Sequence, residues 1–119
     1  MNFKESNPIY IQIAERLADE VLAGTYPPEG RVPGVREYSA LLEVNVNTTV
    51  KAYEYLSRHG IIQSRRGLGY YVTSQAPKLI ADARRQNFRA HTLPEFIRQL
   101  HQLDIPFEEV QAAWRDSGA

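Results

Sequence analysis

The chain has 119 residues, enough for one compact domain plus a modest appendage, because a useful core needs on the order of 100 residues. Its hydrophobic share of 43% and charged share of 24% are those of an ordinary globular protein, and no stretch approaches the ~20 apolar residues of a membrane span. The opening MNFKESNPIY lacks the apolar centre of a signal peptide and the chain has no cysteine, so a cytoplasmic protein without disulfides is expected.

The formal net charge is zero, which at first argues against a nucleic-acid binder, since phosphate contacts need surplus Lys and Arg. The distribution is uneven. Residues 1–43 hold Lys4, Arg16, Arg31 and Arg36 against Glu5, Glu15, Asp19, Glu20, Glu29, Glu37 and Glu43. Residues 44–81 hold Lys51, Arg58, Arg65, Arg66 and Lys78 against Glu54 alone. The second stretch therefore permits a basic surface on a neutral molecule.

In chain order, Pro8 falls in the first turn after an Asn7 cap, and Ile9, Ile13, Leu17 and Val21 recur at helical spacing until Gly24. This predicts a first amphipathic helix. The segment TYPPEGRVPG is too rich in Pro and Gly to continue it, although Arg31 and Val32 fit a short strand. Val35 to Leu42 reads as a second, short helix with Tyr38, Leu41 and Leu42 inward. A tight turn at Val44 and Asn45 leads to a third helix, capped by Asn45 and running to about His59, with Val50, Tyr53 and Leu56 on one face and Gly60 at its end.

After Gly60 the period becomes extended. Ile61 to Ser64, the turn RRGLG and Tyr70 to Thr73 read as a β-hairpin, with glycines supplying positive φ and Arg65 and Arg66 at the tip. One of Tyr70 and Tyr71 should face the core and the other solvent. From Pro77 the pattern is helical again, over about residues 77–90, then from a Thr92 cap with Glu95 as its capping-box partner, then over about 106–116. Phe88, Leu93, Phe96, Ile97, Leu100, Phe107, Val110 and Trp114 line these helices. So short a segment cannot enclose them alone and must pack on the first domain or on a second subunit, of which the second subunit is favoured because a large apolar patch is a liability on a monomer. The fold class expected is mainly α (α+β): a domain of three helices and a hairpin over residues 1–75 and an all-α dimerisation tail over 76–119.

Three helices, the last two joined by a tight turn, followed by a hairpin with a basic Gly-rich tip, describe a winged helix-turn-helix. The run from NPIYIQ through VPGVRE and VNVNTTVKAY to RRGLGYYV, residues 7–72, resembles the DNA-binding domain of the GntR family, in its YtrA-like subfamily with a short helical tail. The resemblance implies a homodimeric transcription factor, a repressor, reading a palindromic operator in double-stranded DNA. It implies DNA contacts from Arg36 at the start of the second helix, from Asn45, Asn47, Thr48 and Lys51 on the recognition helix, and from Arg65, Arg66 and Gly67 in the wing. Two positions depart from the family pattern: Gly34 stands where Ser usually caps the second helix, and Val46 where Pro or Arg is common.

Plainer readings exist for each residue. Arg36 can pair with Glu37 or Glu43, Asn45 and Thr48 can serve only as helix caps, and Tyr53 at its spacing is a core residue. Some winged helices bind partner proteins instead of DNA, which the zero net charge keeps open as the alternative function. His59, His91 and His101 are scattered, so no metal site is expected. No nucleophile elbow, phosphate loop or dinucleotide fingerprint is present, so neither an enzyme nor a cofactor is expected, and nothing in the tail points to a small-molecule effector.

Overall fold

The computed structural model describes residues 7–118. It forms two compact units, one ending at Asp82 and one beginning at Ala83. The first contains α1 (Ile9–Leu22), α2 (Val35–Leu42), α3 (Val46–Arg58), the hairpin β1 (Ile62–Arg65) and β2 (Gly69–Val72), and the opening turns of α4 (Ala76–Asn87). Ala76 and Ile80 of α4 are buried in this unit's core, so the division falls inside the helix rather than at residue 75.

Helix α1 begins one residue later than the sequence suggests. Pro8 is itself the cap residue, at φ −55° and ψ 151°, and its carbonyl accepts the first helical bonds from Ile11 and Gln12. The Asn7 side chain does not cap; its backbone carbonyl instead accepts from Gln12 Nε2 at 2.9 Å. Ile13, Leu17 and Val21 are buried as their spacing requires, whereas Ile9, the first of the expected stripe, stands at the helix start 56% exposed.

Two neighbouring stripes set the joint between α2 and α3. On α2, Val35, Tyr38, Ser39 and Leu42 face inward or sit half-buried, the i, i+3, i+4, i+7 pattern of one helix face. Leu41 falls about a third of a turn off that stripe and is 62% exposed, contrary to the sequence expectation. On α3 the same spacing buries Thr49, Ala52, Tyr53 and Leu56, leaving Val50 only half-buried.

Helix ends explain the tightness of the joint. At the end of α3, Gly60 takes φ +75°, its N–H reaches the Ser57 carbonyl at 3.1 Å, and Ile61 N–H reaches Leu56 at 3.0 Å. This is the left-handed closure that glycine favours. α2 closes in the same way, Glu43 N–H to Ala40 and Val44 N–H to Ser39, but the left-handed residue is Glu43 at φ +56°.

β1 and β2 pair antiparallel, Ile62 with Val72 through Arg65 with Gly69. The expected Arg31–Val32 strand amounts to a single bridge, Arg31 with Tyr71, reinforced by Val32 N–H to the Tyr70 carbonyl at 3.0 Å and Val72 N–H to Gly30 at 2.8 Å. The hairpin is thus pinned along β2 by the connector that precedes α2.

In the second unit the helical backbone passes from α4 through a π-helical turn (Phe88–Thr92) into α5 (Leu93–Gln102), and α6 (Phe107–Asp116) follows. Thr92 therefore does not cap. It is itself helical, at φ −70° and ψ −45°, with no side-chain cap bond, because the preceding turn already carries the chain into α5. Glu95 pairs instead with Arg98, Nε to Oε2 at 2.9 Å, and that guanidinium holds the Glu95 carboxyl below its usual range. Phe88, Leu93, Phe96, Ile97, Phe107 and Trp114 are exposed, Trp114 by 70%, while Leu100 and Val110 are half-buried. No helix among the described residues is long and apolar enough to cross a membrane.

Candidate nucleic-acid interface

The predicted contact residues fall in three places. Arg36 stands on the first turn of α2, exposed, with no hydrogen bond or ion pair to the described residues; the plainer pairing with Glu37 or Glu43 is not formed. Glu37 instead turns back to its own helix start, its Oε1 accepting the Gly34 N–H at 3.2 Å. This half of a capping box survives without a side chain at Gly34.

The second place is the start of α3. Asn45 Oδ1 accepts the Asn47 N–H at 2.8 Å, and the Asn45 carbonyl accepts Thr48 N–H at 3.0 Å. Asn45 is therefore a true cap. Asn47 and Lys51, four residues apart and so on one helix face, are exposed, and Thr48 is half-buried. Lys51 Nζ lies 5.0 Å from the centre of the Tyr10 ring, a cation–π contact that ties α3 to α1.

What aims α3 is buried beneath it. Ser39 Oγ donates to the Val35 carbonyl at 2.7 Å and shares a 2.7 Å hydroxyl–hydroxyl bond with Thr49. Tyr53 donates its hydroxyl to the Pro33 carbonyl at 2.6 Å, with its ring edge-on to Tyr70, centroids 5.1 Å apart. One side chain of α3 thereby touches both the connector and the wing. Tyr38 donates to the Glu20 carboxylate of α1. Burial first, and then for Tyr38 the bonded Glu20, push both phenols well above the ordinary tyrosine value.

The third place is the wing. Its tip is Arg66, Gly67 and Leu68, closed by Leu68 N–H to the Arg65 carbonyl at 2.8 Å; Gly67 takes φ +73°, and Arg66 is exposed. Arg65 is not at the tip. It pairs with Gly69 in the strand ladder, bonds Glu29 at 2.9 Å, and lies 4.0 Å from the Tyr71 ring centre. Tyr70 turns inward and Tyr71 supports Arg65, the division of labour that strand alternation predicts. Sequence reasoning misses Arg31 as part of the site, yet its Nε donates to the Leu68 carbonyl at 3.2 Å. The available signal is the Arg31–Val32 alternation, which places a strand, and so an outward Arg31, beside the hairpin.

Exposed guanidinium and ammonium groups, an amide on the first turn of a capped helix and a basic hairpin offer donors suited to phosphate oxygens and base edges. Among the described residues no group of three His, Asp or Glu side chains gathers as a metal site would need. Two helices joined by a tight turn, with a basic hairpin behind them, make this a winged helix-turn-helix protein of the DNA-binding class.

Residues 9–72 match the model of the bacterial regulatory proteins of the gntR family, and the chain belongs to that family. It is similar to the HTH-type transcriptional repressor YtrA of Bacillus subtilis, 31% identical over 90% of this chain and 82% of that one. It is similar to the same degree to the uncharacterized HTH-type transcriptional regulator YhcF of the same organism, 32% identical over 91% and 88%. Among solved structures, a GntR-family transcriptional regulator from Bacteroides thetaiotaomicron superposes with a TM-score of 0.79 at 39% identity, covering 92% of this chain and 95% of that one. These relatives are regulators of transcription, not enzymes, and the chain is a DNA-binding regulator of the GntR family with the mainly helical winged fold expected for it.

Proposed function

We propose that the protein is a homodimeric repressor that reads a palindromic operator in double-stranded DNA. The observation that carries this reading is the conjunction of unspent donors on α2, α3 and the wing with aromatic side chains left open in the second unit, Phe107 by 67% and Trp114 by 70%. Exposed apolar side chains of this size call for a partner, and a second copy with two-fold symmetry sets two recognition helices on two half-sites. Phe88, Leu93, Phe96, Ile97, Leu100, Phe107, Val110 and Trp114 then form the dimer contact. Arg36, Asn45, Asn47, Thr48, Lys51, Arg65, Arg66 and Gly67 form the DNA contact. Repression follows the named role of YtrA.

The test is selection of bound duplexes from a random pool, followed by titration at two salt concentrations and sedimentation of the free protein. A palindrome is expected, bound about tenfold or more weakly by Arg36→Ala and by the Arg65→Ala, Arg66→Ala double variant, with the double change Phe107→Ala, Trp114→Ala yielding monomers. A folded dimer that enriches no sequence and shows no salt-dependent binding overturns the reading in favour of a protein-binding winged helix. Repression itself is read from a reporter placed behind the selected sequence, whose output must fall when the protein is expressed.

A further inference from the structure

We propose that Arg31, in the connector before α2, is a third DNA-contacting cation of the wing and also the strut that fixes the wing turn. The inference rests on the DNA-binding reading above and adds a residue to it.

The strut is visible in the geometry. Arg31 Nε donates to the carbonyl of Leu68 at 3.2 Å, on the turn that carries Arg66. Its guanidinium also occupies the space beside Gly69: a Cβ built there would stand 3.2 Å from Nε and 3.4 Å from Nη2. Gly69 at φ +94° is thus glycine for two reasons, its backbone angle and the close approach of Arg31. The backbone of Arg31 is held in turn by its bridge to Tyr71 and by the Val32 and Gly30 bonds to β2.

A guanidinium has five N–H donors in a rigid plane. Bracing the turn uses one of them, and the remaining four meet no acceptor among the described residues, on a side chain that is exposed. Arg65, by contrast, is already engaged by Glu29. Arg31 and Arg66 are therefore the wing cations whose charge no carboxylate among the described residues offsets. Arg31 is held in place before any ligand arrives, which lowers the ordering cost of a bidentate phosphate contact.

The experiment titrates the selected duplex between about 50 and 200 mM salt with the wild type, Arg31→Ala, Arg31→Lys and Arg66→Ala, with thermal melts confirming that each is folded. Arg31→Ala is expected to bind about tenfold more weakly and to lower the salt slope by about one, as Arg66→Ala does. Arg31→Lys is expected to keep the slope, because the charge stays, and to recover only part of the affinity, because a lone ammonium cannot brace the turn and make a bidentate contact together. If Arg31→Ala leaves the slope unchanged while Arg66→Ala lowers it, Arg31 is only a strut, and the inference falls while the DNA reading stands. If the wild type shows no salt-dependent binding, both fall together. Should Arg31→Ala fail to fold, Arg31→Gln replaces it, with the same loss of affinity and slope expected and an unchanged slope again overturning the inference.

Discussion

Ser39 and Thr49, ten residues apart in sequence, meet through a 2.7 Å hydrogen bond between buried hydroxyls at the joint of α2 and α3. Ser39 keeps the Val35 carbonyl as a second partner, whereas Thr49 has Ser39 alone to answer its hydroxyl among the bonds described. Thr49→Val preserves shape and removes that hydroxyl, and is expected to destabilise the fold by about 1 kcal/mol. Thr49→Ala adds a cavity and is expected to cost about 2 kcal/mol. Urea melts with unchanged m-values check both; equal stability of the wild type and Thr49→Val would show that the joint does not depend on the pair.

The turn that follows α2 stores strain. Glu43 holds φ +56° where α1 and α3 use Gly24 and Gly60. A non-glycine residue in this region costs roughly 1–2 kcal/mol, offset in part by the extra freedom of glycine in the unfolded chain. Glu43→Gly is expected to raise stability by about 0.5–1 kcal/mol, seen as a higher Tm. It also removes a carboxylate just ahead of Asn45, so operator binding at low salt should tighten by about twofold.

The buried phenols of Tyr38 and Tyr53 give a signed pH dependence. Both are raised above the ordinary tyrosine value, chiefly by burial, so the folded chain keeps protons that the unfolded chain releases. Their contribution is complete below the unfolded value and is lost as pH climbs above about 10 toward the higher folded values. Stability of the wild type is expected to fall beyond about pH 10, by up to about tenfold in the folding constant per pH unit for each phenol. Tyr53→Phe should flatten the decline while costing about 1 kcal/mol at neutral pH for the lost bond to Pro33. An identical alkaline slope in Tyr53→Phe, measured by denaturant titration across the range, would refute this.

Glu29 competes for a wing cation. Its carboxylate meets Arg65 at 2.9 Å, with 61% of the Glu29 side chain exposed, so the pair contributes little to stability. Glu29→Gln is expected to leave Tm within about one or two degrees and to tighten operator binding two- to fivefold at ~0.1 M salt, with the gain fading as salt rises. Weaker binding by Glu29→Gln would mean that Glu29 positions Arg65 rather than occupying it.

The elements legible from sequence are those whose signal is local. The four-residue step of Ile9, Ile13, Leu17 and Val21, the Asn45 cap and the glycine-bounded hairpin each declare themselves within a few neighbours. The pairings that shape the site are not local. Glu29 and Arg65 are 36 residues apart, and Arg31 and Leu68 are 37, so no spacing rule connects them. Leu41 reads as core because leucine commonly is, but the eight-residue α2 has a narrow inner face and gives the place to Ser39. Thr92 with Glu95 has the composition of a capping box, yet a cap requires the backbone to leave the helix, and here the π-helical turn keeps it helical.

The cap on α3 has a consequence for how such a protein changes over generations. Asn45 satisfies the amide of Asn47 by its side chain and those of Thr48 and Thr49 by its carbonyl, which leaves the Val46 N–H at the first helical position with no acceptor among the described residues. A residue there need not donate, and even proline suits it. Position 46 can therefore pass between valine, proline and arginine with little effect on folding. Position 46 lies on the first turn of the helix proposed to read the operator, so under that reading operator preference can drift at a site where the fold exerts almost no veto.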